Sequence, residues 1–561
     1  MAANQTIQMN GAKGNALVFL AAANNGLSSA PDPSGILTSP AVSAGTPVVG
    51  TGCSLGDGDY EGCVVPTGTV TYSGSVDPQS YSLEVPDWVS GPTSAAVVML
   101  PHRNSPTGQE NLSTKIYAFA IPLQPGATVE SVTLPDLSSS AKLNVPGLHI
   151  FGMAVRDTTS APDGSSWTSV WHESMEARFQ FTSIGELTNQ TIRIIAKPSI
   201  SGDTLRIHLS NAYGTDPLDI NHVTIAPSDV RMGPSLSASP HELTFNNGDS
   251  SLVIPEGGEA YSDPISMPVT GGTLLAVSLY LANKVPYITM NPHPSSATWG
   301  YLSAVGSGDH TTDVSDSAST AFTSSGSLSS SFSAVVNSID VTTSADLPTI
   351  DVLGNYLIDQ GRGVAGISYP LARRFENDSS GAPKDSVVNS GVGGNLLAID
   401  AGGHAGGRAA LTRLDRDVLS LPNITTVVVN EALQDAIAGH DDVETERSLS
   451  LLRDQLKGWG IKTIFTTLTP CEGYAPCTST VDTNRRGINT WITDQVDFTS
   501  PTVNYLDAES IVGVSDPTST DDPPALMLND SYDAGDHVNL DDSGYEAIAD
   551  GFDLDSLRPD M

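Results

Sequence analysis

The rhythm of apolar and polar positions changes twice along the chain. Through the first 160 residues, short runs such as AAVVML, KIYAFAI and GLHIFGMAV stand between Gly, Ser, Pro and Thr. Turn residues at such short intervals predict an N-terminal β-rich domain over 1–160. A second β region opens near Ser165–Phe179. In TLRIHLSN, Leu205, Ile207 and Leu209 alternate with Arg206, His208 and Ser210, which marks a strand with one buried face. GGTLLAVSLYLA at 271–282 repeats the signal. Residues 161–345 are therefore expected to form a β-sandwich of jelly-roll-like type. It ends in the Ser/Thr-rich STAFTSSGSLSSSFSAVV, read as a linker or exposed hairpin.

From about residue 346 short apolar runs (TIDVLG, SVVNSG, TTVVVNEA, KTIFTTL, TVNYLDA) alternate with helix-like stretches (GGRAALTRLDRDVLSL, ETERSLSLLRDQLKGWG, STVDTNRRGINTWITDQV). DDSGYEAIADGFDLDSL closes the chain. Strands joined by helical crossovers imply an α/β domain over 346–561, with a parallel sheet covered on both faces. Ligands of such sheets bind at the carboxyl ends of the strands, so the residues just past each run carry the functional information.

Charge narrows the partners. Sixty-three acidic against 25 basic residues give a net charge of -38, which argues against nucleic acid and anionic membranes, since both need cationic contacts. The balance suits a soluble, secreted or salt-tolerant protein. The four cysteines fall into two close pairs, Cys53 with Cys63 and Cys471 with Cys477, neither with zinc-site spacing. Two local disulfides in an oxidising, extracellular setting are the expectation. No apolar run reaches membrane-spanning length. ALVFLAAA at 16–23 lacks the flanks of a signal peptide, so the chain reads as a mature form with a start Met. Six Asn-x-Ser/Thr sequons matter only if the source glycosylates.

At the strand ends stand Gly354-Asn355-Tyr356, then NSGVGGN (389–395), then Glu431 to Asp435, and finally YDAGDHVNLDDSGY (532–545). With GGRAALTRLDRDVLSLPNITTVVV, TLTPCEGY and NTWI between them, these blocks resemble, in order, the landmarks of the SGNH or GDSL-type ester hydrolases over roughly residues 165–556. The resemblance implies a flavodoxin-like three-layer α/β/α domain preceded by β-rich domains. It implies no cofactor and no metal. In that family a Gly-Asp-Ser turn gives the nucleophile, a Gly and an Asn bind the oxyanion, and Asp-x-x-His gives the base.

Carried over position by position, the serine slot holds Tyr356 and the second-block glycine is Gly394. The asparagine slot holds Gln434, Asp536 is kept, and Asn539 stands where the base belongs. A serine is nucleophilic only beside a base that takes its proton. The Tyr356 phenol titrates near 10 on a rigid ring, and an Asn amide has no basic nitrogen. Gln434 still donates, but its extra methylene moves the donor, and losing one such donor can cost on the order of 100–1000-fold. The family's usual mechanism cannot run through these positions. Three dissimilar replacements also do not look like an engineered trap, so the site reads as a natural pseudoenzyme site.

An active alternative, an extracellular esterase or carbohydrate deacetylase, would need substitute residues. Ser390 and His537 are the nearest candidates, with His404 and His440 in flanking loops and Glu431 and Asp435 beside Gln434. As ligand contacts in a non-catalytic cleft, the candidates are Asn355, Tyr356, Asn395 and Gln434. The partners expected are carbohydrate, through Trp167, Trp171 or Trp299, or another surface protein. Edge strands of the β domains leave self-assembly open.

Overall fold

The computed structural model describes the chain apart from residues 1, 25–52, 56–57, 61–66, 84, 86–87, 90–95, 137–146, 180–185, 230–232, 293–297, 316, 318–320, 323–331, 344–346, 356–365, 383, 399, 401–406, 496–502, 518–524 and 559–561. Three bodies of secondary structure follow one another. The first is a pair of four-stranded antiparallel sheets. One takes the order Thr6–Lys13, Thr128–Thr133, Thr67–Tyr72, Gln79–Ser82, and the other Gly147–Arg156, Ala16–Asn24, Thr114–Pro122, Ala96–Leu100. Leu17, Phe19, Tyr81, Tyr117, Phe119 and Val129 fill the space between them.

The second body packs two five-stranded antiparallel sheets face to face. Leu205, Ile207 and Leu209 point into its core with Ile192, Ile194, Val277 and Leu279, but the strand does not have the single buried face expected: Arg206, His208 and Ser210 on its other side are buried as well. Two of the tryptophans considered for carbohydrate contact are interior. Trp171 lies in that core and gives its indole N–H to the Thr298 hydroxyl at 3.1 Å. Trp167 is 1% exposed and stacks on the Arg206 guanidinium. Neither can offer a face to a sugar; Trp299 is half-buried.

The third body is a five-stranded parallel sheet. Taken in chain order its strands are Thr349–Gly354, Ser386–Gly391, Ile424–Asn430, Lys462–Thr466 and Val503–Leu506, and they lie side by side as second, first, third, fourth, fifth. That is the flavodoxin-like order. Helices cover both faces. Asp442–Gly458 and Ser479–Asp494 bury Leu449, Leu452, Leu456, Ile488 and Ile492 on one side. Ser368–Asn377 and Asp542–Gly551 bury Leu371, Phe375, Tyr545 and Ile548 on the other. Side-chain caps set three of the starts: Asp441 accepts from Glu444 N–H, Thr478 from Val481 N–H and Asp541 from Gly544 N–H.

The stretch read as one helix around GGRAALTRLDRDVLSL is two pieces, an α-turn at Ala410–Leu414 running into a π-helix at Asp415–Leu419. Arg413 and Asp417, four residues apart, both point inward and lie 3.1 Å from each other.

The second parallel strand is the sheet's edge, and the sandwich covers it. Trp167–His172 runs beside Ser386–Gly391, with Glu173 and Asn389 paired in a parallel bridge. The Ser386 hydroxyl donates to the Ser169 carbonyl at 2.5 Å, and Thr168 donates to the Leu347 carbonyl at 2.9 Å.

Candidate functional site

Register brings Gly354, Gly391 and Asn430 to one level at the carboxyl edge of the sheet. The loops leaving them are tied together by the backbone: Val392 N–H donates to the Gly354 carbonyl at 3.0 Å. Asn355 is buried at this edge. Tyr356, at the nucleophile position, lies outside the described residues, as does His404. Gly394 sits at φ 75°, a left-handed conformation that glycine adopts without the Cβ clash other residues meet. Asn395, expected as a ligand contact, is committed inside the protein. Its carbonyl oxygen accepts from Arg413 Nη2 at 2.9 Å and Nε at 3.1 Å, and its amide donates to the Arg408 carbonyl at 2.6 Å.

The third strand ends in a turn through Ala432, a non-glycine residue at φ 92°. Gln434 follows in the first turn of the helix Leu433–Ala438 and is half-buried. Asp435 does not face an open pocket. Its carboxylate accepts the Leu397 N–H at 3.0 and 3.2 Å, clamping the second-block loop, and burial raises it to about 6.

At the C-terminal block Asp536 and Asn539 are joined by a side-chain hydrogen bond. The Asn539 side-chain amide donates to Asp536 Oδ2 at 2.6 Å, while Asp536 Oδ1 accepts the Asn539 and Val538 backbone N–H groups. An amide side chain carries no basic nitrogen to titrate near neutral pH. His537 faces elsewhere. It takes φ 66° and pairs through Nδ1 with Asp533 Oδ2 at 2.7 Å. Its ring lies against Gly473, where an added Cβ would come to 3.0 Å. Gly473 belongs to the loop closed by the Cys471–Cys477 disulfide. The pairing of Cys53 with Cys63 falls outside the described residues.

Ser390 is fully buried and donates to the Asp417 carbonyl at 3.1 Å. His440 contacts Glu444 at 3.2 Å on its own helix.

Beneath the strand ends lies a buried ionic cluster that sequence reasoning largely missed. Arg413 Nη1 reaches the Ser390 carbonyl at 2.7 Å, Ser174 Oγ at 3.1 Å and Asp417 Oδ2 at 3.1 Å, and Glu431 lies 3.6 Å from Nη2. Asp351, in the middle of the first parallel strand, has no hydrogen-bond partner for either carboxylate oxygen. Burial pushes it up to about 8, against the pull of the Arg413 guanidinium. Burial likewise raises Glu431 to about 8, offset in part by Arg413. Burial acts on Asp417 too, but the Arg416 and Arg413 guanidiniums hold that carboxyl far below its usual range. His172, contributed by the sandwich, is kept neutral down to about 4 by burial, with both ring nitrogens unpartnered. The signals in the sequence were an acid inside an apolar strand, TIDVLG, and the i,i+4 pair in TRLDRD.

A cavity of ≈ 40 Å³ lies between the sandwich and the helix Ser368–Asn377, beside mid-strand residues Val387–Asn389. It does not sit over the strand ends, so it is no substrate cleft of the expected kind. Among the described residues no group of His, Cys, Asp and Glu is arranged to hold a metal ion, and no helix is long and apolar enough to cross a membrane.

Strand order, two helical layers and loops gathered at the carboxyl edge define the class: a flavodoxin-like α/β/α domain behind two β-sandwich bodies. No protein-family model matches the chain, and no curated protein does. Solved structures that resemble part of it include esterases and GDSL-like proteins. They include Axe2, an acetylxylan esterase from Geobacillus stearothermophilus, at 18% identity over 37% of this chain and 94% of that one, TM-score 0.28. A GDSL-like lipase from Bacteroides thetaiotaomicron matches at 14% over 36% and 84%, TM-score 0.26. The acetyl xylan esterase AlAXEase matches at 17% over 36% and 96%, TM-score 0.27.

Proposed function

We propose that the chain is a non-catalytic, extracellular interaction protein that keeps the scaffold of an ester hydrolase without its chemistry. The observation that carries this reading is the Asn539 amide on Asp536 at 2.6 Å: the position that should remove a proton from a nucleophile has no basic nitrogen. The substitutes considered for rescue are engaged elsewhere, His537 with Asp533 and Ser390 inside the protein beneath Asp417. Burial of Trp167 and Trp171 favours a protein partner over a glycan stacked on them. The acidic composition and the Cys471–Cys477 disulfide support a location outside the cell.

The test is incubation of the full chain with a fluorophosphonate probe and with p-nitrophenyl acetate. Wild type should show no labelling and no turnover above buffer, whereas the combined Tyr356→Ser, Gln434→Asn, Asn539→His variant should acquire labelling. Wild-type turnover that vanishes in Ser390→Ala or His537→Ala would sink the proposal.

A further inference from the structure

Asparagine followed by glycine occurs three times in the chain, at Asn10–Gly11, Asn25–Gly26 and Asn247–Gly248. The second pair lies outside the described residues. The other two are alike in several respects. Asn10 takes φ 52° and Asn247 φ 66°, and the glycines after them take 78° and 124°. Both pairs are exposed. Space does not separate them either. A Cβ added at Gly11 would meet only a Thr128 methyl at 3.7 Å, and one at Gly248 would meet nothing within 4 Å.

What differs is the hold on the backbone N–H after each asparagine. Asp263 grips the turn at Asn247: Oδ1 accepts the Asn247 N–H at 2.9 Å, and Oδ2 accepts the Gly248 N–H at 2.8 Å and the Thr244 hydroxyl at 2.7 Å. The Gly248 N–H also reaches the Phe245 carbonyl at 3.0 Å. Burial alone would raise Asp263, but these donors hold it below the usual carboxylate range, so it stays an anion. Nothing comparable holds Asn10. The ladder runs to Gln8 opposite Ser131 and resumes at Ala12 opposite Val129, so Met9, Asn10 and Gly11 bulge out across from Glu130 alone. Gly11 thus has no ladder partner, and among the described residues no carboxylate receives its N–H.

We propose that Asn10–Gly11 is a site of spontaneous covalent modification, deamidation through a cyclic imide, and that Asp263 withholds the same chemistry from Asn247–Gly248. Hydroxide takes the Gly11 amide proton, and the nitrogen attacks Asn10 Cγ. Glycine leaves that nitrogen uncrowded. The new N–Cγ bond closes the imide as the Cγ–Nδ2 bond breaks, and the side-chain nitrogen takes a proton from water and departs as ammonia. Water then opens the ring at either carbonyl. Opening at Cγ gives aspartate, and opening at the backbone carbonyl gives isoaspartate. Water is the only co-reactant, and nothing is oxidised or reduced. At Gly248 the same step would create an anion on a nitrogen whose proton is already shared with a carboxylate. Giving up a hydrogen bond to a charged group should slow it roughly 10–100-fold. The product at Asn10 places a new carboxylate in the segment facing Glu130, and like charges across a strand pair are destabilising.

This inference is independent of the catalytic reading. The test holds the full chain for days at physiological temperature in mildly alkaline buffer, with a parallel sample in guanidinium chloride. Peptide mapping by mass spectrometry follows each Asn-Gly pair, and methyl transfer from S-adenosylmethionine by an isoaspartyl methyltransferase counts the isoaspartate. In the folded chain Asn10 should convert roughly 10–100-fold faster than Asn247. In guanidinium the two should convert at comparable rates, because both precede glycine and the fold is gone. Asp263→Ala should bring Asn247 up to the rate of Asn10, which stays unchanged. Asp263→Asn, which leaves a neutral acceptor, should fall between, with thermal melts confirming that both variants are folded. Equal rates in the folded wild type overturn the proposal. So does a difference that persists in guanidinium, or a folded Asp263 variant in which Asn247 stays as slow as before.

Discussion

Replacing Asp351 with Asn should change how stability depends on pH more than it changes stability itself. Asn keeps the shape of the side chain and removes its proton equilibrium. In the unfolded chain an aspartate loses its proton near pH 4, whereas buried Asp351 keeps it to about 8. Between those values the folded state binds more protons than the unfolded one, so unfolding free energy falls as pH rises. The contribution is complete below about pH 4, erodes at up to roughly 1.4 kcal/mol per pH unit, and is gone above about 8. From about pH 5 to about pH 8 wild type should therefore lose up to roughly 4 kcal/mol relative to Asp351→Asn. Glu431 and Asp435, also raised, slope the same way in both proteins. His172, held neutral down to about 4, slopes oppositely below about 6.5, again in both. The difference between the two curves thus isolates Asp351. Urea midpoints at unit steps of pH measure it. Parallel curves for wild type and variant would refute the reasoning, because they would mean Asp351 is ionised and solvated in the folded protein.

Two further outcomes follow from the same scaffold. Arg413→Leu should cost about 3–5 kcal/mol in chemical denaturation near pH 7, since Asp417 would be left buried with one guanidinium fewer. Arg413→Lys should recover only part of that loss, because an ammonium cannot also fork onto Asn395. Breaking the Cys471–Cys477 bond as a Cys471→Ser, Cys477→Ser pair, which opens a loop of sequence separation 6, should cost roughly 2 kcal/mol. Hydrogen exchange should quicken in residues 471–477 and at the His537 loop packed on them.

What could be read in the sequence was what depends on local rhythm. The alternation in TLRIHLSN placed a sandwich strand. The run TTVVVNEA, bounded by helix-like periods, placed the third parallel strand at Ile424–Asn430. The alternation of strand and helix periods gave the α/β layers, because a doubly covered sheet constrains every strand in the same way, while the strand order came only with the structure. Residues whose roles come from distant partners were not legible. Nothing local says that Arg413 meets Ser174, more than two hundred positions away, or that His172 faces an ionic cluster in another body. Asn395 looked like a ligand contact because it follows a glycine-rich turn, but Arg413, eighteen positions on in the short helix Ala410–Leu414, brings a guanidinium to it instead. The tryptophans were equally opaque, since an indole in a strand reads the same whether its face meets solvent, a core or an arginine.

The seam between Trp167–His172 and the edge strand Ser386–Gly391 has a consequence for how the molecule comes into being. During synthesis the sandwich emerges first and can finish folding before the parallel sheet begins. The open flank of that later sheet would then meet a finished strand held on the same chain at high effective concentration. Parallel pairings are slow to assemble and prone to capture by neighbouring chains while they wait. A sandwich completed first would present Trp167–His172 as a ready flank for Ser386–Gly391, so that the edge of the parallel sheet is covered as soon as it forms.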